Sequence, residues 1–110
     1  MTALTVLGSG QDGGLPQLLS THPNDVAAME GRIPRRTASS VVVEWDGMRV
    51  LCDVSPDVRA QLYGPVDAIA LTHAHVGHYA GLVHFGKEVA ATERIPVVAT
   101  ASMFRFLRAN

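Results

Sequence analysis

Three of the chain's five histidines, His73, His75 and His78, fall within six residues, directly behind the apolar run Val66-Asp67-Ala68-Ile69-Ala70-Leu71. A run of that length predicts a buried strand. The segment that follows sets Tyr79, Leu82, Val83, Gly86, Val89 and Ala90 on one recurring face and predicts a helix. The histidines therefore belong to a strand–loop–helix junction, at the C-terminal mouth of a strand, where open α/β sheets hold their ligands. Neutral imidazole is the commonest protein metal ligand near pH 7. A lone histidine here reads as structural, but three this close read as a metal site. His73 and His75 come from the loop, and His78 from the first turn of the helix.

Around this junction the pattern is that of a mixed α/β sheet. Thr2 to Leu7 reads as a strand, followed by a permissive turn carrying Gly8, Gly10, Gly13 and Gly14. This turn is not a dinucleotide fingerprint, because its spacing is wrong and no helix pattern follows, and it lacks the lysine of a phosphate loop. Asp12 within it has two open readings, one facing the cleft and one facing solvent. Leu15 to Arg36 is interrupted by Pro16, Pro23 and Pro34. There Pro23-Asn24-Asp25 reads as a turn, Val26 to Glu30 as about one helical turn, and His22 as a structural or surface residue.

Ser39 to Trp45 and Met48 to Asp53 read as an antiparallel hairpin about Asp46-Gly47, a strong two-residue turn signal. Trp45 is read as a packing residue beside the turn, Glu44 as a solvent or edge residue, and Cys52 as a small buried hydrophobe. Ser55, Pro56 and Asp57 suit the start of a helix over Val58 to Tyr63, closed by Gly64-Pro65. Pro96 to Ala99 and Ser102 to Leu107 give one more strand and helix, and His84 falls away from the histidine cluster as an exposed residue. The repeated strand-then-helix order predicts parallel pairing after the hairpin. Asp53, closing an apolar strand at the histidines' edge, needs a partner or water. It is read either as a support that orients a histidine or shapes the loop, or as a plain strand-end residue.

Composition narrows the classes. Nine basic and ten acidic residues give a formal charge of −1, which leaves no basic excess to hold a nucleic-acid backbone. The Arg32–Arg36 stretch, with three arginines, is read as a solvated or ligand-facing loop. A single cysteine excludes an internal disulfide. No secretory or membrane-spanning pattern is present, so the expected setting is the cytoplasm. Charged residues make up 17% of the chain against a usual quarter or so, and with 47% hydrophobic residues this predicts sheet surfaces that something else covers.

The segment His73-Ala74-His75-Val76-Gly77-His78 resembles the His-x-His-x-Asp-His signature of the metallo-β-lactamase superfamily. Leu7-Gly8-Ser9-Gly10-Gln11-Asp12-Gly13-Gly14-Leu15-Pro16 is similar to the branch that contains the pyrroloquinoline quinone biosynthesis protein B. Asp53-Val54-Ser55-Pro56-Asp57 and Ile95-Pro96-Val97-Val98-Ala99-Thr100 fit the same branch. The resemblance implies an α/β fold of the mixed-sheet αββα type, with residues 1–110 forming the N-terminal half and an incomplete domain.

It also implies a metal centre, most simply of Zn2+ (one or two ions in a complete domain), with iron or manganese as alternatives. His73 and His75 would serve a first ion and His78 a second, with Asp53 beside them and the remaining ligands beyond residue 110. Gly77 stands where the family has its aspartate, which predicts a weakened second site. The cysteine cluster common in that branch is missing.

Three functions remain open. The first is a metal-dependent hydrolase using a metal-activated water on an unknown small molecule. The second is a non-hydrolytic metal-binding protein linked to quinone cofactor biosynthesis. The third is an inactive, self-associating fragment. The expected partners include no nucleic acid and no membrane.

Overall fold

The computed structural model describes residues 1–110. Five strands form one mixed sheet in sequence order: β1 (Thr2–Gly8), β2 (Ser40–Trp45), β3 (Met48–Cys52), β4 (Ala68–Ala70) and β5 (Val97–Val98). β1, β2 and β3 pair antiparallel, while β4 runs parallel to β3 and β5 parallel to β4. The hairpin is the one expected. Asp46 and Gly47 both take positive φ, 49° and 80°, the geometry that matches the twist of the flanking strands. The parallel pairing of β3, β4 and β5 follows from helical crossovers: α2 (Val58–Gln61) lies between the first two, and α3 (Val76–Tyr79) with a 3₁₀ helix (Ala80–Phe85) between the last two.

Strand register assigns the two faces. Val42 pairs with Leu51, Leu51 with Ile69 and Ile69 with Val97. The first three of these are buried, and with Val54, Val58, Leu71 and Met103 they form the core beneath the helices. Each fully buried aliphatic side chain contributes roughly 1.5–3 kcal/mol. The opposite face is also apolar: Leu4 is in register with Val43 and Val50, and Val6 with Val41, Cys52, Ala70 and Val98. Leu4 and Val6 are 66% and 61% exposed, so this second face is only partly covered.

The remaining helices are capped as their sequences allow. Thr100 accepts the Met103 N–H and starts α4 (Ala101–Ala109), whose Phe106 meets Tyr79 of α3 edge-on at 5.1 Å. α1 (Pro23–Met29) begins at the proline expected to make a turn, because proline's fixed φ suits a first helical position. His22 caps it, its Nδ1 accepting the Asn24 N–H.

Several expectations are corrected. The long helix after the histidines does not form: α3 passes into 3₁₀ at Ala80, and turns follow Phe85. Gly81 explains the change of pitch, because this segment bends to lie on the loop after β3. The Gly81 N–H donates to the Val54 carbonyl, and a Cβ at Gly81 would overlap the Ser55 carbonyl oxygen. His84 consequently turns inward and is half-buried, its Nδ1 out of contact with solvent. α2 starts at Val58, later than Ser55 suggested. The Ser55 hydroxyl instead accepts the Asp57 N–H and donates to Gln61 Oε1. Cys52 is half-buried on the second face, and its thiol pKa is raised, first by burial and then by Asp53. Trp45 is 39% exposed, at the far end of the sheet from the histidines.

Candidate metal centre

Strand direction gathers the chemistry at one edge. β1, β3 and β4 share one orientation, so the residues that follow each of them emerge at the same edge: Asp12 after β1, Asp53 after β3, and Thr72 and His73 after β4. This edge is the C-terminal mouth anticipated from the sequence. α3 then brings His78 back over it, and the His78 carbonyl accepts the Val54 N–H at 2.9 Å, tying the helix to the residue after Asp53.

Asp53 is the hub. It is 7% exposed and takes φ of 62°, a left-handed conformation uncommon outside glycine and asparagine-like residues. Its amide donates to the Ala70 carbonyl at 2.8 Å. Its Oδ1 accepts the Thr72 N–H at 2.8 Å, and its Oδ2 accepts the Thr72 hydroxyl and lies 2.7 Å from His78 Nδ1. Strain in the backbone is thus offset by three hydrogen bonds to one carboxylate.

These bonds determine which nitrogens carry protons. A carboxylate only accepts, so His78 carries a proton on Nδ1, and in the neutral ring the lone pair is on Nε2. The Thr72 hydroxyl spends its proton on Asp53, so it accepts from His73 Nδ1, 2.8 Å away, and His73 also keeps its lone pair on Nε2. A single carboxylate therefore sets both tautomers, one directly and one through Thr72. A partner on the far nitrogen is the usual support of a metal-binding histidine.

The three rings converge. The His73 and His78 centroids lie 4.0 Å apart, and His75 meets His73 edge-on at 4.6 Å. One donor atom each from Asp53, His73 and His78 falls within 4.8 Å of the others. His75, exposed at the start of α3, lies outside that set of three in this conformation. The donor set, imidazole nitrogens with carboxylate oxygen, suits zinc and other divalent first-row ions. With three donors already on its two oxygens, Asp53 is better matched to orienting histidines than to ligation. A cleft of about 250 Å³ opens beside His73 and is bounded by Thr72, Ala74, Thr100, Ser102, Met103 and Phe106.

Asp12 belongs to the same edge. Its Oδ2 accepts the Gly77 N–H at 3.0 Å, and its Oδ1 lies 3.4 Å from His78 Nε2. Its pKa is lowered, chiefly by the Gly77 N–H. Of the two open readings, the cleft-facing one holds. Sequence reasoning passed over Thr72 altogether. A hydroxyl residue immediately before the first histidine was the available signal. His22 and His84 take no part in the cluster.

A mixed α/β sheet with imidazoles and carboxylates gathered at the C-terminal ends of its like-directed strands defines a metal-binding class of fold. Within that class, this chain belongs to the beta-lactamase superfamily, whose domain matches residues 48–110, and it is similar to quinone-cofactor biosynthesis proteins. The coenzyme PQQ synthesis protein B of Methylobacterium nodulans is 37% identical over 94 residues, covering 71% of this chain and 31% of that protein. The crystal structure of Zn2+-bound PqqB from Methylobacterium extorquens superposes with a TM-score of 0.85 at 28% identity, covering all of this chain and 40% of that one. A diphosphatase of the PhnP family superposes with a TM-score of 0.74 at 32% identity, covering 99% of this chain and 46% of that one. The chain thus spans under half the length of these relatives and corresponds to the N-terminal portion of the fold. No helix is long and apolar enough to cross a membrane.

Proposed function

We propose that this chain carries the histidine-rich half of the metal centre of a zinc-dependent hydrolase, in which His73, His75 and His78 are the ligands and Asp53 is their positioning residue. The observation that carries this reading is the Asp53–Thr72 network, which fixes protons on the Nδ1 atoms of His73 and His78 and so presents both Nε2 lone pairs. His75 adds a third imidazole from the same loop, edge-on to His73. Zinc is favoured over iron or manganese by the imidazole-rich donor set and by the Zn2+-bound relative. When bound, zinc lowers the pKa of a coordinated water toward ~7 and polarises a substrate oxygen. Asp53 holds the imidazoles in the ligating tautomer throughout, and the cleft beside His73 admits a small-molecule substrate.

The test is calorimetric titration of the metal-free full-length protein with zinc, alongside hydrolysis of phosphodiester, thioester and lactam model substrates. Alanine at His73, at His75 or at His78 should each weaken zinc binding and abolish any hydrolysis. Unchanged affinity in the combined His73→Ala and His75→Ala variant would eliminate the ligand assignment. The relatives named for PQQ synthesis favour one second reading, a metal-binding protein of quinone-cofactor biosynthesis without hydrolytic activity. Zinc binding with no turnover of any model substrate would select it.

A further inference from the structure

We propose that Asp12 supplies, from the loop after β1, the metal-binding carboxylate that the histidine motif lacks at position 77. This rests on the reading of the histidine cluster as a metal centre and adds a ligand to it. Gly77 is buried, and a Cβ built on it would stand 2.7 Å from the Cα, the Cγ and Oδ1 of Asp12. The space that a side chain at position 77 would enter is therefore already filled by the Asp12 carboxylate. The fit is fastened by the Gly77 N–H, which donates to Asp12 Oδ2 at 3.0 Å. Glycine at 77 is thus the residue that admits a carboxylate from elsewhere in the chain.

The other oxygen is aimed at the site. Asp12 Oδ1 lies 3.4 Å from His78 Nε2, the nitrogen left with a lone pair once Nδ1 donates to Asp53. With the ring neutral both atoms are acceptors, and the pairing is made favourable by a cation between them, a metal ion or, in its absence, a proton on Nε2. Two donors each about 2.0–2.1 Å from one tetrahedral zinc lie about 3.3 Å apart, close to the spacing seen here. Asp12 and His78 then hold the second ion together, and the weakness expected from Gly77 is made good.

The experiment uses the full-length protein loaded with zinc, with metal content measured by elemental analysis and site symmetry by the visible spectrum of the cobalt-substituted form. Asp12→Asn is the probe, because its amide oxygen still accepts the Gly77 N–H while its NH2 group turns on His78. The expected result is loss of the weaker metal equivalent, or a fall in its affinity of about tenfold or more, with the metal-free protein still unfolding cooperatively. The double variant Asp12→Gly with Gly77→Asp should recover that equivalent, since it returns the carboxylate to the histidine segment. An Asp12→Asn protein with full metal content, unchanged affinity and an unchanged cobalt spectrum would overturn the proposal and leave Asp12 as a clasp for the Gly77 amide. If the unsubstituted protein takes up no metal, the metal-centre reading itself fails. If metal is lost with His78→Ala but kept with Asp12→Asn, only the assignment of Asp12 fails.

Discussion

Replacing Asp53 with asparagine isolates the hub with almost no change of shape. Asparagine tolerates the left-handed backbone and fills the same volume. Its two ends are not equivalent, however, and the site has a fixed donor on one side. The Thr72 N–H cannot become an acceptor, so the amide oxygen must stay where Oδ1 is, and the NH2 group must stand at Oδ2. There it faces the Thr72 hydroxyl and His78 Nδ1, both of which must then accept. The hydroxyl, rotated, donates to His73 Nδ1. His73 and His78 both move their protons to Nε2, away from the ligating tautomer.

Exchanging charge-assisted for neutral hydrogen bonds at this partly exposed cluster costs about 1–2 kcal/mol of folding stability. Metal binding suffers separately, because ligation must return both protons to Nδ1, against an NH2 group. Breaking one or two neutral hydrogen bonds amounts to about 1.4–2.8 kcal/mol, a ten- to hundredfold weaker affinity. Long-range ¹⁵N spectra of the histidine rings read the protonated nitrogen directly, and zinc calorimetry reads the affinity. Rings that keep Nδ1–H in the variant, with zinc affinity within about twofold of the parent, would refute the relay through Thr72.

Three further outcomes are expected. Gly81→Ala should destabilise the fold by about 1–3 kcal/mol in chemical denaturation, because the overlapping atom is the backbone carbonyl of Ser55 and has little room to yield; a change under about 0.5 kcal/mol would show that the 3₁₀ segment shifts freely. Asp12 is held below its ordinary pKa by the Gly77 N–H, and Asp25 by the Ser20 hydroxyl and then the Gln17 N–H. Each depressed pKa contributes stability that is fully present above the unfolded value of ~3.9 and is lost as pH falls through the lower folded value. Denaturation midpoints across that acid range should therefore fall less steeply for Asp12→Asn and Asp25→Asn, and parallel curves would contradict the assignment. Residues 1–110 in isolation, with Leu4, Val6 and Val98 exposed on the second sheet face, should self-associate in a sedimentation concentration series; a concentration-independent, highly stable monomer would count against that face needing a cover.

The sheet was legible because its signals are local. Asp46-Gly47 sets the hairpin, and the Val66–Leu71 run followed by histidines sets the strand that bears the site. Misread elements are those decided by contacts distant in sequence. The segment after His78 has helical periodicity, but Gly81 is drawn down onto Val54 and Ser55, and that docking converts it to 3₁₀ and turns His84 inward. Spacing alone singled out His73, His75 and His78, whereas their proton positions depend on Asp53 and Thr72, held together by the pairing of β3 with β4. The role of Asp12 was undecidable from its own neighbours because its partner, Gly77, is 65 positions away.

That separation has an evolutionary side. The cradle at Gly77 accepts one carboxylate and has no room for two, since a side chain there collides with Asp12. An acidic residue at one position and a glycine at the other are alternatives, and a lineage moving between them passes through a protein with either a crowded site or an empty-handed one. Related sequences should therefore divide into those that carry the acid beside the histidines and those that carry it at the amino-terminal loop, with few holding both. Position 12, in a turn that a motif search centred on the histidines never reaches, would then be the better marker of which lineage a sequence follows.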